Sequence, residues 1–281
     1  MKFQPESIPG QSTVPAEKPA YEQIAKIEAP KAHDAMKFLP FIGIKAESLP
    51  SKGLSYPPQA TIKYRPYTFG EVKRSSNSKG LTFRDNVNFI LEGIETSFPK
   101  EDLTVYDVMY LSLLRNISSV KGAGFKIPYV CPTCAYKGEK EVPMIDIEFK
   151  DLEAPKLPAT VEIQGKKVSF MPLTLGHYLT LADMGKENDD IAVVAAKILN
   201  MNFEESYQLV SSLYGDDQEV VMEIEKLLNH EIKPIKFGCE KKLDTGKKCN
   251  TPMEVELIGG EALIMPFRKP KDAPRSRIQF G

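Results

Sequence analysis

An α+β fold built from two duplicated half-domains, each of short strands plus helices, is predicted by three features of this 281-residue sequence. A ten-residue phrase is spelled twice: IKYRPYTFGE (62–71) and VSFMPLTLGH (168–177) both read apolar-x-aromatic-x-Pro-x-Thr-x-Gly-x. A cysteine pair follows each phrase, Cys131 and Cys134 in one case, Cys239 and Cys249 in the other. Each pair is followed by Pro-Met and an acidic–apolar alternation, VPMIDIE (142–148) and TPMEVEL (251–257). The offsets agree: 106 from Pro66 to Pro172, 108 from Cys131 to Cys239, 109 from Pro143 to Pro252. Three blocks in one order at nearly one offset point to an internal duplication, with convergent strand–turn spelling as the competing explanation. The period is too long for a solenoid and suits two fused half-domains. The expected divisions are an extended Pro-rich arm over 1–58, a first half over 59–158, a second half over 159–262 and a basic tail over 263–281.

The arm is marked out by Pro5, Pro9, Pro15, Pro19, Pro30, Pro40, Pro50, Pro57 and Pro58. Each removes a backbone donor and fixes φ, so no long helix or central strand fits there. The apolar run FLPFIGI (38–44) predicts an arm that becomes ordered against a partner. In the first half, Ile62, Tyr64 and Tyr67 read as a short strand entering a turn. Thr82 to Asp85 reads as a capping box, with Val87, Ile90, Leu91 and Ile94 at helical spacing behind it. Thr104 to Asp107 opens a helix apolar on more than one face, hence buried (Val105, Val108, Met109, Leu111, Leu113, Leu114). In the second half, Ile191, Val194, Ala195, Ile198 and Leu199 form one core stripe. Asn202 to Glu205 and Asp216 to Glu219 cap two further helices, making a bundle of three short helices.

The first cysteine pair, CPTC, has a knuckle spelling: two thiolates two residues apart chelate one ion, and the turn between them points amides at the sulfurs. Ile127, Tyr129 and Val130 read as the incoming strand and 141–149 as the outgoing one. Cys239 and Cys249 are nine residues apart, wide for a knuckle, but Asp244-Thr-Gly246 offers a turn that folds the excess outward. Each half then supplies one two-thiolate hook, and the halves together close a zinc-ribbon-like four-cysteine site for a structural Zn²⁺. Lys241, Lys242, Lys247 and Lys248 would offset the −2 charge of the thiolate–zinc unit. Three alternatives stay open: a redox CxxC, buried unligated thiols, and His230 or His177 in place of Cys249. A closed four-thiolate site has no open coordination position, which makes it structural and not catalytic.

Composition narrows the function. With 42% apolar and 27% charged residues the chain is globular, and a net charge of −1 gives no global basic field for nucleic acid or anionic lipid. No apolar run approaches the ~20 residues of a membrane span, and no secretory h-region opens the chain. A reducing cytoplasm is expected, where four cysteines bind metal in preference to forming disulfides. His33, His177 and His230 are the sole histidines. No HExxH, GxSxG or phosphate-loop motif occurs, so an enzyme is not expected. KGAGF (121–125) reads as a plain loop and Asp189-Asp190 as a helix start. The basic run from Phe267 to Phe280, with apolar ends, favours docking to protein.

The succession LTVYDVMYLSLLRNIS (103–118), a strand into CPTC, then an acidic–apolar strand, resembles the baseplate hub and assembly proteins of contractile-tailed bacteriophages of the T-even kind. VSFMPLTLG ahead of short helices is similar to that family as well, and the likeness runs from about residue 60 to 257. It implies a non-enzymatic virion structural or tail-assembly protein, made in the host cytoplasm and placed in the tail baseplate. Its partners would be other baseplate and tail proteins (hub, tube or tape measure), with neither nucleic acid nor membrane. The family's cysteine hook maps onto Cys131 and Cys134, while the spacing of Cys239 and Cys249 departs from the compact form. The rival reading is a zinc-ribbon nucleic-acid-binding protein such as a phage transcription factor, presenting Tyr129, Tyr136, Lys137 and Lys140. The acidic residues Asp146, Glu148, Asp151 and Glu153 weigh against it.

Overall fold

The computed structural model describes residues 40–77, 83–119, 124–243 and 246–257. They form a mixed α/β structure with seven α-helices and nine strands in four small antiparallel sheets. In chain order the elements are β1 (Ile42–Ile44), β2 (Ile62–Tyr64), α1 (Phe69–Asn77), α2 (Phe83–Leu91), β3 (Ile94–Thr96), α3 (Val105–Ser119), β4 (Gly124–Val130) and β5 (Lys137–Pro143). There follow β6 (Ala159–Ile163), β7 (Lys166–Phe170), α4 (Leu175–Asp183), α5 (Asp190–Ala195), α6 (Phe203–Ser211), α7 (Asp216–Leu228), β8 (Ile235–Gly238) and β9 (Pro252–Val255).

The repeated phrase folds the same way twice. In each copy an apolar–aromatic strand, β2 or β7, runs into Pro, and the threonine two residues on starts a helix. Thr68 Oγ1 accepts from Glu71 N–H at 3.2 Å, and Thr174 Oγ1 from His177 N–H at 3.3 Å. Such side-chain caps satisfy helix donors that have no intrahelical partner. Each phrase strand pairs on one side with a preceding strand, β1 with β2 and β6 with β7, both antiparallel. On the other side a later segment returns to it. Tyr64 opposes Ile94, with Arg65 N–H bonded to Gly93 O at 2.9 Å; Phe170 opposes Ile198, with Met171 N–H bonded to Lys197 O at 2.9 Å. The two helix starts at Thr104 and Thr174 also touch, Val105 N–H bonding Leu173 O at 3.1 Å and Leu175 N–H bonding Leu103 O at 2.7 Å.

Two apolar cores result. The first gathers Ile62, Tyr64, Ile90, Ile94 and α3 around Leu111, Leu113 and Leu114, and it takes in Leu175 and Leu179 from α4 and Ile232. The second joins Leu152, Ile163, Val168, Phe170 and Ile198 to Leu209, Val221, Ile224 and Leu228. As its all-round apolar pattern requires, α3 is buried, and it carries Arg115 into the core with it. Each nitrogen of that guanidinium has a partner. Nε donates to Arg65 O (2.9 Å), Nη1 to Ile90 O (2.5 Å) and Nη2 to Glu71 Oε1 (3.1 Å), and its carbon lies 3.8 Å from the Tyr67 ring centroid. Burial pushes Glu71 up, but hydrogen bonds from Arg65 and Thr68 and the charge of Arg115 hold it at about 2. A second polar network pins the segment before β2. Asp107 accepts from Ser51 N–H at 3.0 Å and from the Tyr56 hydroxyl, while Thr104 bonds His230 Nε2 at 3.0 Å.

Several expectations need correction. Residues 1–39 lie outside the described ones, but 40–58, assigned to the arm, pack on the body: β1 pairs with β2, and Leu49 and Tyr56 enter the first core. Their prolines sit in turns, where a missing N–H costs nothing. Thr82 of the first capping box lies outside the described residues. Asn202 and Glu205 do form a reciprocal capping box. Asp216 caps nothing, because the N-cap of α7 is Gly215 at φ 58°, leaving Asp216 as the first helical residue. The second half holds four helices, not three. Ile198 and Leu199 leave the α5 stripe to pair with β7, and Leu199 is half-exposed. The expected strand over 141–149 stops at Pro143, and Met144–Asp146 is a 3-10 turn that drops Met144 and Ile147 into the first core.

Candidate metal centre

Two hairpins far apart in sequence, β4–β5 and β8–β9, carry the cysteines at their tips. The hooks share one backbone pattern. Cys131 N–H bonds Tyr136 O (2.9 Å) and Ala135 N–H bonds Cys131 O (2.9 Å); Cys239 N–H bonds Thr251 O (3.0 Å) and Asn250 N–H bonds Cys239 O (3.0 Å). The residue after the second cysteine is left-handed in both, Ala135 at φ 53° and Asn250 at φ 52°. That turn brings the chain back under the first cysteine. The ladders agree too, since the residue before the first cysteine pairs with the third after the second: Val130 with Lys137, Gly238 with Pro252. By this register Pro252 matches Lys137 and not Pro143, so the Pro-Met block of the sequence is not structurally equivalent in the two halves.

The extra length of the second hook is an outward excursion. Cys249 N–H bonds Lys241 O at 2.8 Å, and Lys242 bridges Lys248 across it. Nine intervening residues therefore close to the geometry that two achieve in the first hook; Asp244 and Thr245 of the expected turn lie outside the described residues.

The hairpins meet through Ile127, Val142 and Val255, with Ile235 and Phe237 against them. The Tyr129 and Phe237 rings, each two residues before a first cysteine, stack edge-on at 5.1 Å. Glu240 N–H donates to Tyr129 Oη at 3.3 Å, and Lys140 pairs with Glu240 at 2.9 Å. All four predicted cysteines come together: their sulfurs lie within 4.8 Å of one another, Cys131 3.8 Å from Cys249 and Cys134 3.7 Å from Cys239.

These distances test the fit of a metal. A disulfide needs about 2.0 Å, and the thiols are free. A tetrahedron with Zn–S bonds of about 2.3 Å has edges of about 3.8 Å. The donor set fits such an ion: Cys131 and Cys239 are each 1% exposed, Cys134 and Cys249 are half-buried, and Thr251 Oγ1 lies 3.1 Å from the Cys249 sulfur. Burial pushes the Cys131 thiol up, yet backbone amides of Cys134 and Thr133 bring it down to about 6. The Thr251 hydroxyl lowers Cys249. Although the Tyr136 amide lowers it, burial and the surrounding sulfurs push Cys134 up to about 12, and burial raises Cys239. Each hook thus pairs one sulfur whose acidity its neighbours raise with one whose acidity they lower, and a bound cation would displace the thiol protons that remain.

The alternatives find less room. Cys131 follows a strand and its turn leads into another strand, whereas a redox CxxC opens a helix. His230 is buried away from the sulfurs: Nδ1 donates to Leu228 O at 2.9 Å and Nε2 accepts from Thr104, so neither nitrogen is free for a metal. His177 lies on α4 and does not join the cluster. Two buried polar groups went unforeseen, Arg115–Glu71 and Asp107–Tyr56. Their signal was present, since a charge inside a helix apolar on every face demands a partner.

In chemical class this is a four-thiolate cluster suited to a tetrahedral ion. Comparison of the chain with protein-family models, curated proteins and solved structures finds no match in any of the three. No helix among the described residues is long and apolar enough to cross a membrane.

Proposed function

We propose that this chain is a non-enzymatic structural and assembly component of a contractile phage tail baseplate, in the hub region. Its body would be two fused copies of one α+β module, tied by a structural Zn²⁺ in a zinc-ribbon-like site. Cys131, Cys134, Cys239 and Cys249 would hold the ion, which supplies a cross-link and no open position for chemistry. One observation carries the clamp: four sulfurs from hooks more than 100 residues apart, all within 4.8 Å of one another on hairpins of identical register. The duplication is supported by the two Thr-capped phrase helices and by the matching returns of Ile94 and Ile198. The baseplate assignment is supported by the sequence likeness over 103–118 and the CPTC hook, with neighbouring tail proteins as partners.

The test has two arms. Elemental analysis of purified protein is expected to give one zinc per chain, and a metal-free, fully folded protein overturns the clamp. Tail particles purified from infected cells are expected to contain the chain, and its absence from particles and from their assembly intermediates overturns the baseplate role.

A further inference from the structure

Two oppositely charged faces stand without partners on this body. In the excursion of the second hook, Lys242 sits directly across the ladder from Lys248, and Leu243 N–H bonds Lys247 O at 2.8 Å. Like charges directly opposite on paired strands destabilise each other. Lys241 adds a third ammonium, 5.6 Å from the Tyr136 ring centroid, and Lys247 a fourth. All four are exposed, and among the described residues no carboxylate forms an ion pair with them; the neighbouring Glu240 is held by Lys140. Two positive charges suffice to offset a −2 metal site, which leaves two in excess.

The opposite sign lies on α7. Asp216, Glu219 and Glu223 recur at helical spacing along one exposed strip, and no lysine or arginine among the described residues forms an ion pair with any of them. Met222, 49% exposed, lies beside Glu219 on that helix, and Tyr214, 78% exposed, stands two residues before its first turn. The core contribution of α7 comes from Val221, Ile224 and Leu228. Glu223 and Met222 are therefore surplus to folding, while Asp216 and Glu219 lie in the first turn, where their charge also suits the helix dipole.

We propose that these faces meet between copies: the knuckle lysines of one chain dock on the α7 strip of the next. The two lysine charges in excess face the carboxylates of the strip, and Tyr214, Met222 and the partly exposed Leu243 supply apolar contact beside them. Because the two patches differ, the contact is heterologous and runs head to tail, closing into a ring where the rotation permits. This goes beyond the proposed function and rests on it only in that the clamp holds the excursion at the surface.

Sedimentation velocity on the full-length protein tests it. Wild type is expected to self-associate with concentration at ~0.1 M salt and to dissociate toward ~1 M, where the screening length shortens. Lys242→Glu with Lys248→Glu, and separately Glu219→Lys with Glu223→Lys, each weaken self-association by roughly 100-fold or more, because like-charge contacts cost several kcal/mol. An equimolar mixture of the two variants restores association, since each knuckle then faces an α7 of opposite sign. A wild type that stays monomeric, variants that associate as it does, or a mixture that stays apart overturns the contact. So does a monomeric wild type whose lysines instead bind an oligonucleotide probe. Zinc measured on the same fractions separates the two ideas: one ion per chain without self-association sinks this contact and leaves the clamp standing.

Discussion

Cys131→Ser removes one of the four sulfurs, and the size of its effect follows from where the hooks lie. Cys134 and Cys239, whose sulfurs are 3.7 Å apart, are separated by 105 residues of chain. Cross-linking a loop of that length removes denatured-state entropy equivalent to about 4.7 kcal/mol. The free energy of structural zinc binding, roughly 10–16 kcal/mol in small peptides, sets the upper limit. A domain has about 5–15 kcal/mol in all, so the lower figure alone is a third or more of it. Between the two hairpins themselves little else could replace the tie: the exposed Lys140–Glu240 pair contributes about 0–1 kcal/mol, and the apolar patch between them is small. The loop encloses the whole second core, from Leu152 to Leu228, and also lends Met144, Ile147, Leu175, Leu179 and Ile232 to the first. Destabilisation should therefore reach both cores. Urea unfolding followed by circular dichroism is expected to show a loss near 5 kcal/mol, and chelation of the wild type to reproduce it. Hydrogen exchange should accelerate at β2 and β7 alike. Faster exchange confined to 124–143 and 235–255 would refute the reasoning, because it would mean that the hooks fray without loosening what they tie.

Two further perturbations probe the buried polar groups. A Cβ added at Gly93 would lie 2.1 Å from the guanidinium of Arg115, so Gly93→Ala must expel a buried charge that pairs with Glu71; the expected cost is about 3–5 kcal/mol in urea unfolding, and a cost below ~1 kcal/mol contradicts the packing. Burial lowers the pKa of His230, opposed by Asp107, so the folded state declines a proton that the unfolded chain accepts below its ordinary value of 6.5. Stability should fall as pH drops from 6.5 toward the folded value, and His230→Gln should flatten that slope; the difference between wild type and variant, measured from about pH 8 to about pH 6, cancels protons taken up elsewhere, and equal slopes would show that the imidazole is not buried neutral.

What could be read from the sequence tracks how local the cause is. Thr104 and Asn202 cap helices because the oxygen and the N–H it serves lie three residues apart, and such signals survive any tertiary setting. The apolar pattern of α3 foretold burial, since no orientation of that helix leaves a polar face. Failures cluster where a distant segment decides. Ile198 and Leu199 carry helical spacing but are drawn into pairing with β7, a ladder that their own neighbours cannot reveal. The PMIDIE stretch alternates like a strand, yet Met144 and Ile147 are both claimed by the first core, which bends the chain into a 3-10 turn. Asp216 has the right residue type for a cap, but Gly215 can adopt φ 58° cheaply and takes the position instead. The cysteine cluster was legible for a different reason: four thiols in a chain of this composition have few other uses.

The asymmetry of the hooks bears on how the proposed duplication would have diverged. In the proposed clamp metal geometry would fix the sulfur positions and the turn beneath them, and both hooks keep the left-handed residue, the reciprocal amide bonds and the strand register. It places no constraint on chain that leaves between Lys241 and Cys249 and returns to the same point, because loop closure grows only logarithmically with length. Insertions are thus tolerated inside the second hook at little cost to the clamp, whereas a single residue added to β4 or β5 would turn every side chain of that strand to the wrong face. The phrase shows the same division. Its Pro and capping Thr are common to both copies, while the third residue beyond Thr is Glu71 in one, locked to Arg115, and His177 in the other, with no buried arginine to meet it. Backbone-setting positions agree and partner-dependent positions differ, a pattern expected of diverged copies and also of two strand–turn–helix units that met the same local demands, so the proposed duplication leans on the shared turn and register of the hooks and not on the phrase alone.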